Sequence, residues 1–269
     1  MPYAFDHLDL IQEILGRSPL GLITDVDGTI SEIAPTPREA RVSPLCRRYL
    51  TVLCRQLALV AAVSGRLAAE VRDMIGIEGV IYIGNHGLER WAKNHTELSN
   101  NTPDYTGMIK SAVEELSSRL SAQGVTIENK GLSLTIHYRL STEPEIAERE
   151  ILNTVAASEW AKDLRVVRGR LALNLLPPVE VSKGTAVLDL IRDYSLQGGL
   201  YLGDDLTDID AFRAIHDAAR NSKFRGLAIG VASAEMPERL AREADLTLNG
   251  VGDAARFLRW LSQSVPRPD

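Results

Sequence analysis

Apolar residues along this chain recur at two periods, and the switches between them mark out its elements. Leu8, Leu10, Ile11, Ile14 and Leu15 fall at helical spacing, which predicts a short amphipathic helix over residues 8–16. The run Gly21-Leu22-Ile23-Thr24 then reads as a buried strand that ends in Asp25-Val26-Asp27-Gly28-Thr29, two carboxylates one residue apart and a glycine turn. Pro35, Pro37 and several charges make residues 30–42 a loop, after which Ser43-Pro44 starts a helix carried on by Leu45, Tyr49, Leu50, Leu53 and Leu57. A second apolar run, Leu57 to Val63, ends in Ser64-Gly65-Arg66 and is followed by a helix from Leu67 to Ile75. A third, Gly79 to Ile83, ends in Gly84-Asn85-His86-Gly87. Strands that alternate with helices and end in polar residues predict a parallel sheet with its ligands at the strand C-termini.

The pattern changes character near Asp104. A helix (Tyr105 to Gln123), two strands (Val125 to Asn129, Ser133 to Leu140), a helix (Glu143 to Trp160) and two more strands (Leu164 to Arg168, Arg170 to Leu176) follow, with Lys130-Gly131 and Gly169 at hairpin positions. This αββαββ block predicts a separate α+β module with an antiparallel sheet. Pro177-Pro178 ends it, and from Ser182 the alternating grammar returns: a helix over Thr185 to Tyr194, a strand at Leu200 to Leu202 and the turn Gly203-Asp204-Asp205-Leu206-Thr207-Asp208. A helix over Asp210 to Ala218, a strand at Gly226 to Val231, a helix near Pro237 to Ala244, a short strand at Leu246 to Leu248 and a helix over Val251 to Ser262 complete the chain, with Ser264 to Asp269 expected to fray. The domain division is therefore residues 1–102 and 179–269 as one core interrupted by an insertion at 103–178.

Composition narrows the setting. At 269 residues, 45% hydrophobic and 25% charged, the chain is an ordinary globular protein with material for one large domain or two modest ones. A net charge of −6 argues against nucleic acid or an anionic membrane as partner, so an anionic ligand needs a local cationic site. The two cysteines, Cys46 and Cys54, share a predicted helix and read as inert thiols rather than a disulfide framework or metal pair. The first residues lack a signal-peptide pattern and no apolar run approaches the ~20 residues that span a bilayer, which leaves a cytoplasmic protein as the expectation.

Four polar stations fall at strand ends or at a following helix start: Asp25/Asp27, Ser64, Lys183 and Asp204/Asp208. Each alone has a plainer reading: an Asp/Gly turn, a polar turn with a helix cap, a surface lysine. Together they make a phosphoryl-transfer kit. Oxygen ligands from Asp25, Asp204 and Asp208 suit Mg²⁺, while Lys183 and a hydroxyl or backbone donor at Ser64 offset the charge of a phosphate. Asp25 can then attack phosphorus, with Asp27 protonating the leaving oxygen and later activating water. Neither G-x-x-x-x-G-K-[ST] nor G-x-G-x-x-G occurs, and His7, His95 and His216 are isolated.

With these motifs the chain resembles the haloacid dehalogenase-like (HAD) phosphatase superfamily. The resemblance implies an α/β fold, a Rossmann-like parallel-sheet core with an inserted α+β (αββαββ) cap domain. It implies Asp25 as nucleophile, Asp27 as acid/base, Ser64, Gly65 and Lys183 as phosphate ligands, and a Mg²⁺ site drawn from Asp25, Asp27, Asp204 and Asp208. More closely, Ser64-Gly65-Arg66, Gly84 to Glu89, Glu128 to Leu132, His137-Tyr138-Arg139, Lys183-Gly184 and Gly203 to Asp208 resemble the trehalose-6-phosphate phosphatases. That resemblance implies hydrolysis of trehalose 6-phosphate to trehalose and phosphate, with a small-molecule sugar phosphate as partner, and Arg66, Asn85, His86, Lys130, His137 and Arg139 as substrate-contacting residues. It leaves the oligomeric state open, with a monomer compatible.

Two positions depart from that family. Asn174-Leu175-Leu176-Pro177 stands where Glu-x-Arg-Pro is usual, and Ile209 follows Asp208 where Glu is usual. A glutamate missing from a sugar site leaves its hydroxyl partners to Asn174 or water, and one lost polar contact alters selectivity. The alternatives are a phosphatase for another glycosyl phosphate such as mannosyl-3-phosphoglycerate, a phosphohexomutase, or a sugar-phosphate sensor that has lost turnover.

Overall fold

The computed structural model of the protein describes residues 2–92, 94–99, 103–232 and 237–266. Its contacts divide the chain into one unit of Met1–Ser99 with Val181–Asp269 and another of Asn100–Glu180.

The first unit opens with α1 (Leu8–Leu15), β1 (Leu20–Thr24), α2 (Pro44–Leu53), β2 (Leu59–Val63), α3 (Ala68–Ile75), β3 (Ile81–Gly84), β4 (Glu89–Ala92) and β5 (His95–Leu98). The second unit holds α4 (Thr106–Arg119), β6 (Thr126–Asn129), β7 (Leu134–His137), α5 (Pro144–Ala156), β8 (Arg165–Gly169) and β9 (Ala172–Leu176). The first unit resumes with α6 (Lys183–Asp193), β10 (Gly198–Gly203), α7 (Ile209–Asn221), β11 (Arg225–Ala232), α8 (Glu238–Glu243), β12 (Leu246–Asn249) and α9 (Gly250–Ser264).

The first unit is built on an eight-stranded sheet in the order β12-β11-β10-β1-β2-β3-β4-β5, parallel from β12 to β3. β1 is central and buried on both faces, as its unbroken apolar run requires. Leu20 and Leu22 enter one core with Val60, Leu200, Leu202 and the apolar sides of α1, α2 and α9. Ile23 enters the opposite core with Ala61, Val63, Tyr201 and residues of α6 and α7. The antiparallel strands β4 and β5 widen the sheet beyond what the apolar runs predict, because they carry mainly polar, partly exposed residues. The second unit pairs an antiparallel sheet, β6-β7-β9-β8, with α4 and α5 through Ile109, Leu116, Leu134, Ile136, Ile151, Leu173 and Leu175.

The expected fraying from Ser264 starts too early. Ser264 closes α9, Val265 is buried, and its amide donates to the Leu261 carbonyl at 3.0 Å; residues 267–269 lie outside the described residues. Among the described residues, no helix is long and apolar enough to cross a membrane.

Candidate active site

β1 delivers Asp25 to the C-terminal edge of the sheet. The Asp25 amide still donates to Leu202 O of β10 at 2.8 Å, as in the parallel ladder, so its carboxylate leaves the last rung of a rigid strand. The chain then turns at Val26, whose carbonyl accepts from the amides of Thr29, Ile30 and Ser31. Gly28 takes φ +86°, and a Cβ built there would fall 1.9 Å from Asp204 Oδ2. The glycine therefore serves both the left-handed turn and the close approach of two chain segments.

Lys183 joins the carboxylates. It is the first residue of α6, whose N-cap Ser182 accepts from the Gly184 and Thr185 amides, and its Nζ lies 2.6 Å from Asp25 Oδ1 and 2.8 Å from Asp208 Oδ1. Asp208 accepts two further kinds of donor: the Tyr201 hydroxyl at 2.7 Å on Oδ1, and the backbone amides of Asp204 and Asp205 at 3.0 Å each on Oδ2. A carboxylate has about four acceptor sites, so these four donors fill it. Thr29 Oγ1 donates to Asp204 Oδ1 at 3.2 Å.

Three buried carboxylates facing one ammonium leave negative charge uncompensated. Burial drives the Asp25 carboxyl up to about 7 against the lowering effect of Lys183, and Asp208 adds to the rise. Asp204 lies well above the usual carboxylate range, through burial first and then the charges of Asp25 and Asp208. Burial opposes the charge of Lys183, yet Asp208 and Asp25 hold its ammonium above the usual lysine value. Oxygens of Asp25, Asp204 and Asp208 lie within 4.8 Å of one another. With Asp208 filled by its four donors, oxygens of Asp25 and Asp204 are the ones a hard divalent cation fits, and such an ion would supply the missing positive charge.

Asp27 is placed differently from those three. It is partly exposed, and both its oxygens are held by Arg66: Nε to Oδ2 at 2.6 Å and Nη2 to Oδ1 at 2.8 Å. Arg66 comes from the loop after β2, where Ser64 is buried, its amide donates to Ile83 O at 2.9 Å, and its hydroxyl accepts from the Arg66 amide at 3.2 Å. Gly65 sits under the His86 ring, with 2.7 Å from a built Cβ to Cε1. Asn85 and His86 both have positive φ, 51° and 58°. Their turn is held by the amide of Asn85 on Arg66 O (2.6 Å), the amide of His86 on Ser64 O (3.0 Å), and the Asn85 side chain on Glu89 Oε1 (3.0 Å). Glu89 Oε2 also accepts from the Ala68 amide at the start of α3 (3.1 Å). The stations at 64–66 and 85–86 are thus one interlocked pair of loops.

In the four-stranded unit, Glu128 draws Lys130 and His137 together, at 3.6 Å from Nζ and 2.8 Å from Nε2 to its Oε2. Arg139 donates to Arg170 O at 3.1 Å. Asn174 is buried within the sheet, where its Oδ1 accepts from Thr135 Oγ1 at 2.8 Å and its Nδ2 reaches Val167 O at 3.4 Å. The amide where a glutamate is usual is therefore tied across β7 and β8.

Sequence reasoning missed Tyr201, Thr29 and Glu89 as members of the constellation. Tyr201 carried a usable signal, since a tyrosine inside an apolar central strand must find a partner for its hydroxyl when buried. Thr29 and Glu89 lay inside the stretches Asp25–Thr29 and Gly84–Glu89, but their partners depend on segments brought close only by the fold.

Comparison with known proteins follows the same lines. The sequence pattern of the trehalose-phosphatase family matches residues 23–249. Trehalose-phosphate phosphatase of Mycobacterium tuberculosis is 32% identical over 222 residues, covering 80% of this chain and 56% of that protein; that of Mycobacterium leprae is 31% identical over 276 residues, covering 98% and 62%. The chain thus spans little more than half the length of these relatives. Among solved structures, the C-terminal domain of Candida albicans trehalose-6-phosphate phosphatase superposes with a TM-score of 0.79 at 20% identity, covering 97% of this chain and 98% of that one. A HAD subclass IIB sugar phosphatase superposes with a TM-score of 0.57 at 14% identity, covering 90% and 98%.

Proposed function

The chain belongs to the trehalose-phosphatase family, and from that premise we propose that it hydrolyses trehalose 6-phosphate to trehalose and inorganic phosphate. The observation that carries the reading is Lys183 Nζ bridging Asp25 and Asp208, with Asp204 alongside, at the end of the central strands. This arrangement offers a nucleophilic carboxylate, a cation to receive phosphate and an oxygen site for a metal within one buried cluster.

In this mechanism an Asp25 carboxylate oxygen attacks phosphorus. The bond from phosphorus to the sugar oxygen breaks, and that oxygen takes a proton from the Asp27 carboxyl. Water then attacks the aspartyl-phosphate, gives its proton to Asp27 and releases phosphate, which restores Asp25. Lys183 balances negative charge on the transferring oxygens, and the Ser64–Gly65 loop lies at the end of β2, beside β1, as a second phosphate contact. Asp25 and Asp204 would hold Mg²⁺; Asp208, with four donors already on its oxygens, fixes Lys183 and the 204–205 backbone. Bound there, the cation would neutralise charge as the phosphoryl group transfers. Lys130 and His137, joined by Glu128, are the candidates for sugar recognition.

Steady-state assays with Mg²⁺ against a panel of sugar phosphates test this reading. Trehalose 6-phosphate is expected to give the highest kcat/KM. Turnover no better than that of simple hexose phosphates would reject the substrate, and then another glycosyl phosphate in the panel identifies the ester that is used.

A further inference from the structure

The ion pair between Arg66 and Asp27 has more structure than substrate binding requires. Arg66 uses its planar fork on both oxygens of one carboxylate, and its third nitrogen, Nη1, donates to the Pro37 carbonyl at 2.9 Å. Its backbone is fixed as well, with the amide on Ser64 Oγ and the carbonyl accepting from Asn85. Pro37 belongs to a short turn, Pro37–Glu39, in the loop that leaves β1, closed by a capping box between Thr36 and Glu39. Arg66 thus ties together three loops at the strand edge, its guanidinium holding the loop after β1 and its backbone carbonyl the 85–86 turn, and it fixes the plane of one side chain, Asp27.

Asp27 needs such support. It stands two residues from Asp25, near the buried acidic cluster, on a partly exposed loop, where like charge would turn a lone carboxylate toward water. A bidentate guanidinium holds both oxygens in a fixed plane, which a single ammonium cannot do. We propose that Arg66 is a positioning residue whose fork sets the orientation of Asp27 for proton transfer to and from the reacting oxygens. The inference rests on the aspartyl-phosphate reading above and gives Arg66 a task distinct from direct contact with substrate.

The two tasks separate by leaving group. An alkyl oxygen of a sugar needs a proton from Asp27 as its bond to phosphorus breaks, whereas p-nitrophenolate departs without one. Asp27→Asn, Arg66→Gln and Arg66→Lys are assayed with Mg²⁺ on p-nitrophenyl phosphate and on the best sugar phosphate of the panel, measuring formation of the aspartyl-phosphate in single-turnover experiments. Arg66→Gln is expected to slow that step on the sugar phosphate about 10-fold or more beyond its loss on p-nitrophenyl phosphate, within the range of general acid catalysis. Asp27→Asn should show the same selectivity, and Arg66→Lys should recover part of the rate on the sugar ester. Equal losses on both esters, a rise in KM alone, or an unchanged or faster rate would each overturn the positioning role. Activity surviving in Asp25→Asn would instead overturn the functional reading itself.

Discussion

Gly28 and Asp204 approach so closely that one methyl added at residue 28 would fall 1.9 Å from Oδ2 of Asp204. The left-handed turn beneath Asp25 and the loop after β10 are therefore held in register by the absence of a side chain. Gly28→Ala is expected to displace Asp204 and to cost roughly 100-fold or more in kcat, the scale of a misplacement near 1 Å. It should also lower stability by about 1 kcal/mol or more, because alanine is strained at positive φ. Phosphate release and a thermal melt measure the two effects.

Asp25→Asn should abolish phosphate release while the circular dichroism spectrum stays that of the folded protein. The substitution removes the carboxylate proposed to attack phosphorus and leaves Lys183 its second partner, Asp208. Persistent turnover would show that the nucleophile lies elsewhere.

Tyr201→Phe keeps the ring, which packs edge-on against Phe212 with centroids 5.8 Å apart, and deletes only the donor to Asp208. Loss of one buried hydrogen bond to a carboxylate is expected to cost about 1–3 kcal/mol in stability. Because the same Asp208 oxygen holds Lys183, kcat should fall several-fold as well. Urea titration and steady-state kinetics report the two quantities.

The buried carboxylates predict how pH and metal act together. Burial pushes the Asp25 carboxyl up to about 7 in the folded protein from about 4 in the unfolded chain, and Asp204 is shifted the same way. Between those values the folded state binds more protons, so in chelator this contribution to stability falls as pH rises from about 4 to about 7. A divalent cation offsets the charge that appears, so the rise in Tm on adding Mg²⁺ should be small near pH 5 and largest near pH 8. A rise in Tm independent of pH would show that Mg²⁺ binds away from these groups.

The polar edge of the sheet was legible because candidate site residues fall where regular patterns stop. Asp25, Ser64 and Asp204 each follow an apolar run of the parallel sheet and Lys183 opens the helix that leads back into it, so these residues could be placed from the order of strands and helices. The strands β4 and β5 were not legible. Glu89-Arg90-Trp91-Ala92 and His95-Thr96-Glu97-Leu98 lack an apolar run, and their pairing at the sheet edge depends on β3 already being in place. Tyr201 was visible as part of a strand but not as a partner of Asp208. Asn174 was visible as a departure from the family pattern, yet its ties to Thr135 and Val167 become apparent only when β7, β8 and β9 are side by side. Local sequence reports which residues reach an edge; the partners they find there depend on segments far along the chain.

That distance has a consequence for how the protein is made. β1 pairs with β10, and Lys183 meets Asp25 across 158 residues of sequence. During synthesis the first strands emerge with the β10 side of β1 unpaired, and that edge stays open until β10, Gly198–Gly203, has been made. The helices and strands between Thr106 and Leu176 rely on contacts closer in sequence and are free to form in the interval. Asp25 is thus among the first of the clustered side chains to be translated and among the last to meet its partners.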